Sequence, residues 1–383
     1  MNRHVFPLLT ELLELFPCVA VVGVRQCGKT TLLRQLLPGW RVFDLEKGSD
    51  FHSIAHDPDL FLRLHPNQVA LDEAQRLPAL FPALRVAIDA DRATPGRFVI
   101  TGSSSPEIVR SISESLAGRV AIIELAPFSL AEAYELPPSG FFASLTNGQP
   151  KPADLLEFPL RTRPREILDY WLRGGYPEPW LRKTERFSRL WMGNYLKTYL
   201  ERDIRQLFPS LSQEKYRLFL HMLASLSGTI INHSDVARAL GVSQPTVRDY
   251  FGIAHGTFVW RHLPAWFRNA GKRVVKHPKG YLRDSGLLRS LLHIPDEDAF
   301  LAHPRLGASW ESMVTETLLR GLGAAGIASE AFHYRSSGGA EVDLVLEGDF
   351  GLLPVEIKYA QSIAPRSLRP LRDFMAEHGC PLG

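Results

Sequence analysis

The stretch Val19-Ala-Val-Val-Gly23-Val24-Arg25-Gln26-Cys27-Gly28-Lys29-Thr30-Thr31-Leu-Leu33 decides how the rest of this chain is read. Four apolar residues in a row predict a buried parallel strand, and Gly23 to Thr30 fit G-x-x-x-x-G-K-[ST] without a gap. Lys29 to Leu37 predict a helix that Pro38-Gly39 ends. Gly23 and Gly28 permit a backbone turn tight enough to wrap N–H groups around phosphates, at the positive end of the new helix. Residues Gly23, Val24, Arg25, Gln26, Cys27, Gly28, Lys29, Thr30 and Thr31 therefore read as an ATP-binding loop. Lys29 is expected to reach the β- and γ-phosphates, and the Thr30 hydroxyl to hold Mg²⁺.

Outward from the loop, Val5 to Phe16 predict a short amphipathic helix, Trp40 to Leu45 a second strand, and Gln68-Val-Ala-Leu-Asp72-Glu73 a third. An apolar strand ending in two acids is the natural complement of a phosphate loop. Asp72 is expected to bind Mg²⁺ through a water, and Glu73 to polarise the attacking water. A fourth strand, Arg97 to Ser103, ends in hydroxyls, and Thr101 and Ser103 are both candidates to touch the γ-phosphate or that water. A helix from Pro106 to Leu116, then Ala117-Gly118-Arg119 and a fifth strand from Val120 to Leu125, complete an α/β parallel-sheet domain over residues 1–135.

This order, with the loop on strand one, the acids on strand three, a polar end to strand four and an Arg before strand five, resembles the AAA-type ATPases. The resemblance implies that Arg119 is an arginine finger reaching a neighbouring subunit's γ-phosphate, and hence a homo-oligomer if it acts in trans. The plainer reading is a solvated Arg at a strand start.

At 383 residues, 45% hydrophobic and 22% charged, the chain has the make-up of a soluble multidomain protein. Cys18, Cys27 and Cys380 are too few and too scattered for a disulfide framework or a Cys-based zinc site. With no apolar run near eighteen residues and no signal-like N-terminus, a cytoplasmic protein without a membrane partner is expected. The formal charge of +3 is small but uneven: Gly241 to Ser290 hold nine Lys and Arg against two acids. That block is the one electrostatic pointer to a polyanionic partner.

Pro, Gly and small residues from Leu136 to Arg165 mark a domain boundary. Beyond it the sequence predicts a helix from Arg165 to Leu172, the segment Gly174-Gly175-Tyr-Pro177, and a long helix from Arg182 to about Phe208 that carries Glu201-Arg-Asp-Ile204. The loop variant around Arg25-Gln26, Leu-Asp72-Glu73-Ala-Gln75, Leu-Ala-Gly-Arg119, Gly-Gly-Tyr-Pro and Glu-Arg-Asp-Ile together resemble one large ATPase family of bacteria and archaea. The C-terminal region of that family is a domain of unknown function, and the likeness runs from residue 5 to about 360.

Ser234 to Tyr250 read as a helix-turn-helix: a first helix on Asp235 to Leu240, a turn at Gly241 and a second helix opening at Ser243. Phe258 to Trp266 and Arg268 to Val275 are expected as strands of a wing. If the unit binds DNA, Gln244, Thr246 and Arg248 lie on the second helix, with Lys272, Arg273, Lys276 and Lys279 placed for phosphates. A packing or regulatory role for the same unit stays open. The expected division is a helical segment at 136–210, a winged helix at 211–290 and a C-terminal domain at 291–383.

In that last domain a helix beginning at Gly307 carries Glu311, and Glu341-Val-Asp343 is followed by Val355-Glu356-Ile-Lys358. Asp on one strand and Glu-x-Lys on the next resemble the PD-(D/E)xK nuclease fold. Residues two apart on a strand share a face, so Glu356 and Lys358 are expected beside Asp343. Asp343 and Glu356 would hold Mg²⁺ or Mn²⁺, Lys358 would orient or deprotonate water, and Glu311 matches a further acidic position of that fold. The chain ends at Gly383, soon after a helix predicted from Ser367 to His378, where that fold continues with another strand; the expectation is a shortened chain or a trimmed core. Two functions stay open: an ATP-linked nuclease or nucleic-acid-binding ATPase, and a non-cleaving regulatory ATPase with a protein partner.

Overall fold

The apolar run at the head of the phosphate loop is the strand β1 (Cys18–Gly23), buried along its whole length. The structure, a computed structural model, describes residues 3–36, 39–103, 112, 114–146, 148, 150–153, 159, 161–205, 208–267, 277–336 and 338–383. The chain divides into two compact units, Met1–Phe128 with Gly256–Phe258, and Ser129–His255 with Val259–Gly383.

In the first unit β1, β2 (Arg41–Asp44), β3 (Val69–Asp72), β4 (Phe98–Ser103) and β5 (Val120–Glu124) form one sheet in the order β2-β3-β4-β1-β5. All four pairings are parallel. Continuous apolar strands suit a sheet covered on both faces, and Val19, Ala20, Val21, Leu71, Val99 and Ile100 are all buried. Helices α1 (Phe6–Leu15), α2 (Lys29–Leu36), α3 (Gly48–Ala55), α4 (Pro58–Leu64) and α5 (Leu80–Ala90) belong to this unit. Register then fixes the site. Val21 pairs with Thr101 and Gly23 with Ser103, while Leu71 pairs with Ile100. The carboxyl ends of β1, β3 and β4 therefore share one sheet edge, where ligands bind in open parallel sheets. The helix expected over Pro106 to Leu116 falls largely outside the described residues.

The second unit opens with short helices and Pro164–Arg173. The single long helix expected from Arg182 is instead broken. Lys183 has a left-handed backbone (φ 56°), and Thr184 caps a new helix, Glu185–Thr198, by accepting from the Phe187 N–H. A π-helical turn, Tyr199–Ile204, follows, the irregular turn type found where a helix absorbs an extra residue. Helix Gln213–Leu226 leads through β6 (Thr229–Ile230) to helices His233–Leu240 and Gln244–Gly256, then β7 (Trp260–Leu263) and β8 (Lys279–Leu282). The three strands form an antiparallel sheet in the order β6-β8-β7. A third sheet, β11-β10-β9, is also antiparallel and is built from β9 (Ser329–Arg335), β10 (Glu341–Gly348) and β11 (Gly351–Val355). It packs with the helix Leu306–Ala324. Leu263 and Tyr281 share one apolar cluster with Leu322, Leu344, Leu346 and Leu353, so β7 and β8 enter the core of this last sheet. Past β7, Ala265 bridges to His333 of β9 in parallel, with the Trp266 N–H donating to the His333 carbonyl at 2.7 Å.

Candidate functional site

The loop between β1 and α2 is shaped by two close constraints. A Cβ on Gly23 would meet the Leu125 carbonyl oxygen at 2.1 Å, so only glycine admits the chain that leaves β5. Gly28 has φ +101°, a region closed to residues with a Cβ. Val24 and Cys27 are buried, and burial pushes the Cys27 thiol up. Lys29 is buried as well, its ammonium donating to the carbonyls of Gly23 (2.9 Å) and Val24 (3.1 Å). Arg25 pairs with Glu46 at 3.2 Å, Gln26 is left-handed (φ 61°), and Thr31 is exposed on α2.

The Thr30 hydroxyl donates to Asp72 Oδ2 at 2.5 Å, joining loop and third strand across 42 residues. Asp72 Oδ1 accepts from the Thr101 hydroxyl, which in turn accepts the Glu73 N–H at 3.2 Å. Glu73 itself is left-handed, φ 55° and ψ 46°, a strained backbone for a non-glycine residue. Its Oε2 accepts from the Gln75 amide, from the Ser103 N–H (3.0 Å) and from the Ser103 hydroxyl (2.8 Å). Thr101 and Ser103, both candidates on sequence, thus divide the two carboxylates: Thr101 bonds that of Asp72, and Ser103 that of Glu73.

The two neighbouring acids are pushed in opposite directions. Burial raises the Asp72 carboxyl, against hydrogen bonds from Thr101 and Thr30. Burial also pushes Glu73 up, but the Lys29 charge and the bonds from Gln75 and Ser103 outweigh it, and its carboxyl lies below the ordinary range. A buried carboxylate touching a hydroxyl is a hard oxygen donor pair of the kind Mg²⁺ takes while keeping waters and phosphate oxygens as its other ligands. Thr30 and Asp72 fit that ion.

In the second unit the pairing Leu344 with Val355 places Asp343 opposite Glu356, just past the end of β11. Asp343 Oδ2 accepts from the Ile357 N–H at 3.0 Å and from Lys358 Nζ at 3.3 Å, and Lys358 pairs with Glu356 at 2.5 Å. The expected trio is therefore assembled. Two further groups enter. Lys279 of β8 is buried and ion-paired to Asp343 Oδ1 at 3.2 Å and to Glu311, whose carboxylate also accepts from the Tyr281 hydroxyl. The sequence expectation of Lys279 facing phosphates is corrected, because its ammonium lies inside the protein between two carboxylates. Burial pushes Glu311 and Glu356 up; burial also opposes the Lys279 charge, but Glu311 and Asp343 outweigh it and hold the ammonium above its ordinary value.

Residues 16–134 match the AAA domain, and residues 164–298 and 306–382 match two domains of unknown function, DUF8612 and DUF4143. The uncharacterized protein Rv2008c of Mycobacterium tuberculosis is 38% identical over 381 residues, spanning 98% of this chain and 77% of that protein, and Mb2031c of Mycobacterium bovis matches equally. The chain belongs to that family. Among solved structures, the Walker-type ATPase PABY2304 of Pyrococcus abyssi is 15% identical, with a TM-score of 0.46 over 76% of this chain and 95% of that one. The RuvB Holliday junction branch migration motor of Thermotoga maritima is 20% identical, with a TM-score of 0.32 over 69% and 90%.

Elsewhere in the first unit, Arg119 makes a two-pronged pair with Asp89, 2.8 Å from Nε to Oδ1 and 2.8 Å from Nη2 to Oδ2, and donates to the Ala117 carbonyl. Reaching a neighbour's phosphate requires that pair to open. On the helix Gln244–Gly256, Gln244 and Arg248 are exposed and Thr246 is half-buried. Gln244 donates to the Ser234 hydroxyl at 2.8 Å. Lys272, Arg273 and Lys276, with the wing strand expected over Arg268 to Val275, lie outside the described residues. The basic block counted in the sequence is partly internal: Arg261 and Arg283 pair with the buried Glu316, and Arg289 pairs with Glu185. No helix among the described residues is long and apolar enough to cross a membrane, and all three cysteines are buried free thiols.

Sequence reasoning missed Arg3. Its guanidinium donates to the Cys27 carbonyl (2.8 Å) and the Ala126 carbonyl (2.6 Å) and lies 5.0 Å from the Phe128 ring, bracing the phosphate loop against the end of β5. Nothing local in the sequence signals a contact made across 24 and 123 residues.

Proposed function

We propose that the chain is a Mg²⁺-dependent ATPase whose C-terminal unit binds nucleic acid through the helix Gln244–Gly256 without cutting it. The observation that carries the first half is the meeting of Thr30 and Asp72 at 2.5 Å beside the buried Lys29. Lys29 and the loop N–H groups bind and orient the phosphates, and Thr30 and Asp72 hold the ion. When bound, Mg²⁺ would offset the negative charge that develops on the phosphates. Glu73, whose carboxyl lies below its ordinary range, is ionised at neutral pH and is the base that takes the proton of the attacking water. Ser103 and Gln75 hold that carboxylate until the water is in place.

The second half rests on a helix, a left-handed Gly241 (φ 62°) and a second helix, followed by β7 and β8, with β8 pairing to both β6 and β7, the element order of a winged helix. On that second helix Gln244, Arg248, Asp249 and His255 are exposed, and Arg248 is the Lys or Arg among them. ATP turnover measured with Mg²⁺, beside fluorescence anisotropy on labelled single- and double-stranded DNA with and without a nonhydrolysable ATP analogue, tests both halves. Glu73→Gln should retain nucleotide binding and lose about 10²–10⁴-fold in turnover. Arg248→Glu should weaken DNA binding across sequences and lower its salt dependence. DNA affinity unchanged by Arg248→Glu and by the nucleotide analogue would move the C-terminal unit to a protein partner. An ATP-linked nuclease is the second reading, favoured by the approach of Asp343, Glu356 and Lys358, and it requires cutting that vanishes in Asp343→Ala.

A further inference from the structure

We infer that the acidic cluster of the C-terminal unit takes its cation from the chain itself: Lys279 fills the place a divalent metal would take, and the site binds neither Mg²⁺ nor Mn²⁺. A nuclease-like metal centre needs Asp343 together with Glu356 or Glu311 to present oxygens to one ion. Here both oxygens of Asp343 are already engaged, Oδ1 by the Lys279 ammonium and Oδ2 by the Ile357 N–H and Lys358. Glu311 is shared between Lys279 and the Tyr281 hydroxyl, and Glu356 Oε1 is held by Lys358. Glu356 Oε2 is buried without a partner and Glu311 receives both of its bonds on Oε1, so each of these carboxylates already has one oxygen taken by an ammonium of the chain. Among the described residues no three His, Cys, Asp or Glu side chains converge closely enough to hold a metal ion. Three carboxylates face two ammoniums, so an entering dication would meet two like charges at short range.

Lys279 is not a surface side chain that has folded inward. It lies on β8, the central strand of β6-β8-β7, hydrogen-bonded on both edges. Its neighbour Gly280 fixes the register, because a Cβ there would meet the Trp260 ring at 2.1 Å. Strand side chains alternate faces, so this register turns Lys279 and Tyr281 together toward Glu311, and a slip of one residue would turn both away. The lysine is therefore delivered by the fold, from the strand pair whose Leu263 and Tyr281 share the core of the C-terminal sheet.

The inference concerns the metal and stands whether or not the unit binds nucleic acid. The test is Mn²⁺ binding to the nucleotide-free full chain, followed by electron paramagnetic resonance and calorimetry, with Asp343→Asn used to assign signal to this site. The wild type should show no Mn²⁺ binding that Asp343→Asn removes. Lys279→Met leaves Glu311 without its ammonium and Asp343 with Lys358 alone, and should gain one Asp343-dependent site, tighter by at least about tenfold than anything in the wild type. Lys279→Arg, which keeps the cation, should gain none. Asp343-dependent Mn²⁺ binding by the wild type overturns the inference outright, even if Lys279→Met does not fold. A folded Lys279→Met chain, judged by its melting transition, that gains no site overturns it too.

Discussion

Thr101→Val replaces a hydroxyl by a methyl of nearly the same shape at a position that is fully buried in the middle of the sheet. Two bonds are lost with no change of volume. The first is the donation to Asp72 Oδ1, a hydrogen bond to a carboxylate that has no water to replace it. The second is acceptance of the Glu73 N–H at 3.2 Å, which helps hold Glu73 in its left-handed backbone. A hydrogen bond to a charged group is worth about 1.5–3 kcal/mol and an orphaned buried donor costs about 1–3 kcal/mol, so the substitution should cost about 3–5 kcal/mol in all. Against a typical stability of about 5–15 kcal/mol the protein stays folded, with its unfolding midpoint clearly lowered. Turnover should fall by about 10–100-fold, the usual effect of removing a group that orients a metal ligand. Urea unfolding and Mg²⁺-titrated ATP turnover read the two effects, with Thr101→Ser as the control that restores the hydroxyl. If Thr101→Val matches the wild type in both, Thr101 orients neither acid and the division of the two carboxylates between Thr101 and Ser103 is wrong.

Arg119 gives a prediction about assembly: if it acts as a finger in trans, turnover per chain should rise with protein concentration, Arg119→Ala should abolish that rise, and Asp89→Ala, which removes its two-pronged partner, should steepen it. Turnover independent of concentration and of Arg119 would leave the Asp89 pair as a structural clamp. Glu316 gives a prediction about pH. It is buried, and although burial pushes its carboxyl up, Arg261, Arg283 and Arg320 outweigh that and depress it strongly. A group with a depressed folded-state pKa contributes stability above its unfolded value, near 4.5 for Glu, and that contribution is lost as pH falls through the folded value. Denaturant titrations below about pH 4.5 should therefore show a steep loss in the wild type and a shallower one in Glu316→Gln, which starts lower at neutral pH because three arginines are left facing a neutral amide. Equal slopes for the two proteins would mean that the arginines are balanced elsewhere.

The nucleotide site was legible because its parts are local. A strand, two glycines, Lys29 and Thr30 lie within one short stretch, and an apolar strand that ends in Asp72-Glu73 needs no distant partner to be recognised. What holds those residues was not legible. Gln75 and Ser103 on Glu73, Arg3 beneath the loop and Asp89 on Arg119 are contacts set by strand order, and strand order is written in no single segment. The helix expected from Arg182 failed for a smaller reason: nothing in the composition marks Lys183 as left-handed, and only Thr184 offers a cap.

The C-terminal cluster carries the sharper lesson about motifs. Asp343 and the Glu356-x-Lys358 pair predict convergence on adjacent strands, and the register of β10 on β11 delivers it. Whether convergence makes a metal site depends on charge balance, and the deciding charge comes from Lys279, 64 residues before Asp343, in a block that a count of basic residues assigns to a polyanion. Arg261 and Arg283 are drawn inward the same way, onto Glu316. A run of Lys and Arg predicts a binding surface only when its strands have no acids to face, and the strands β7 and β8 run past two of them, Glu311 and Glu316, on the helix Leu306–Ala324. Among the described residues of that block the surface charge left for a polyanion is Arg248, so there the nucleic-acid reading rests on the helix Gln244–Gly256, while Arg268, Lys272, Arg273 and Lys276 lie outside the described residues.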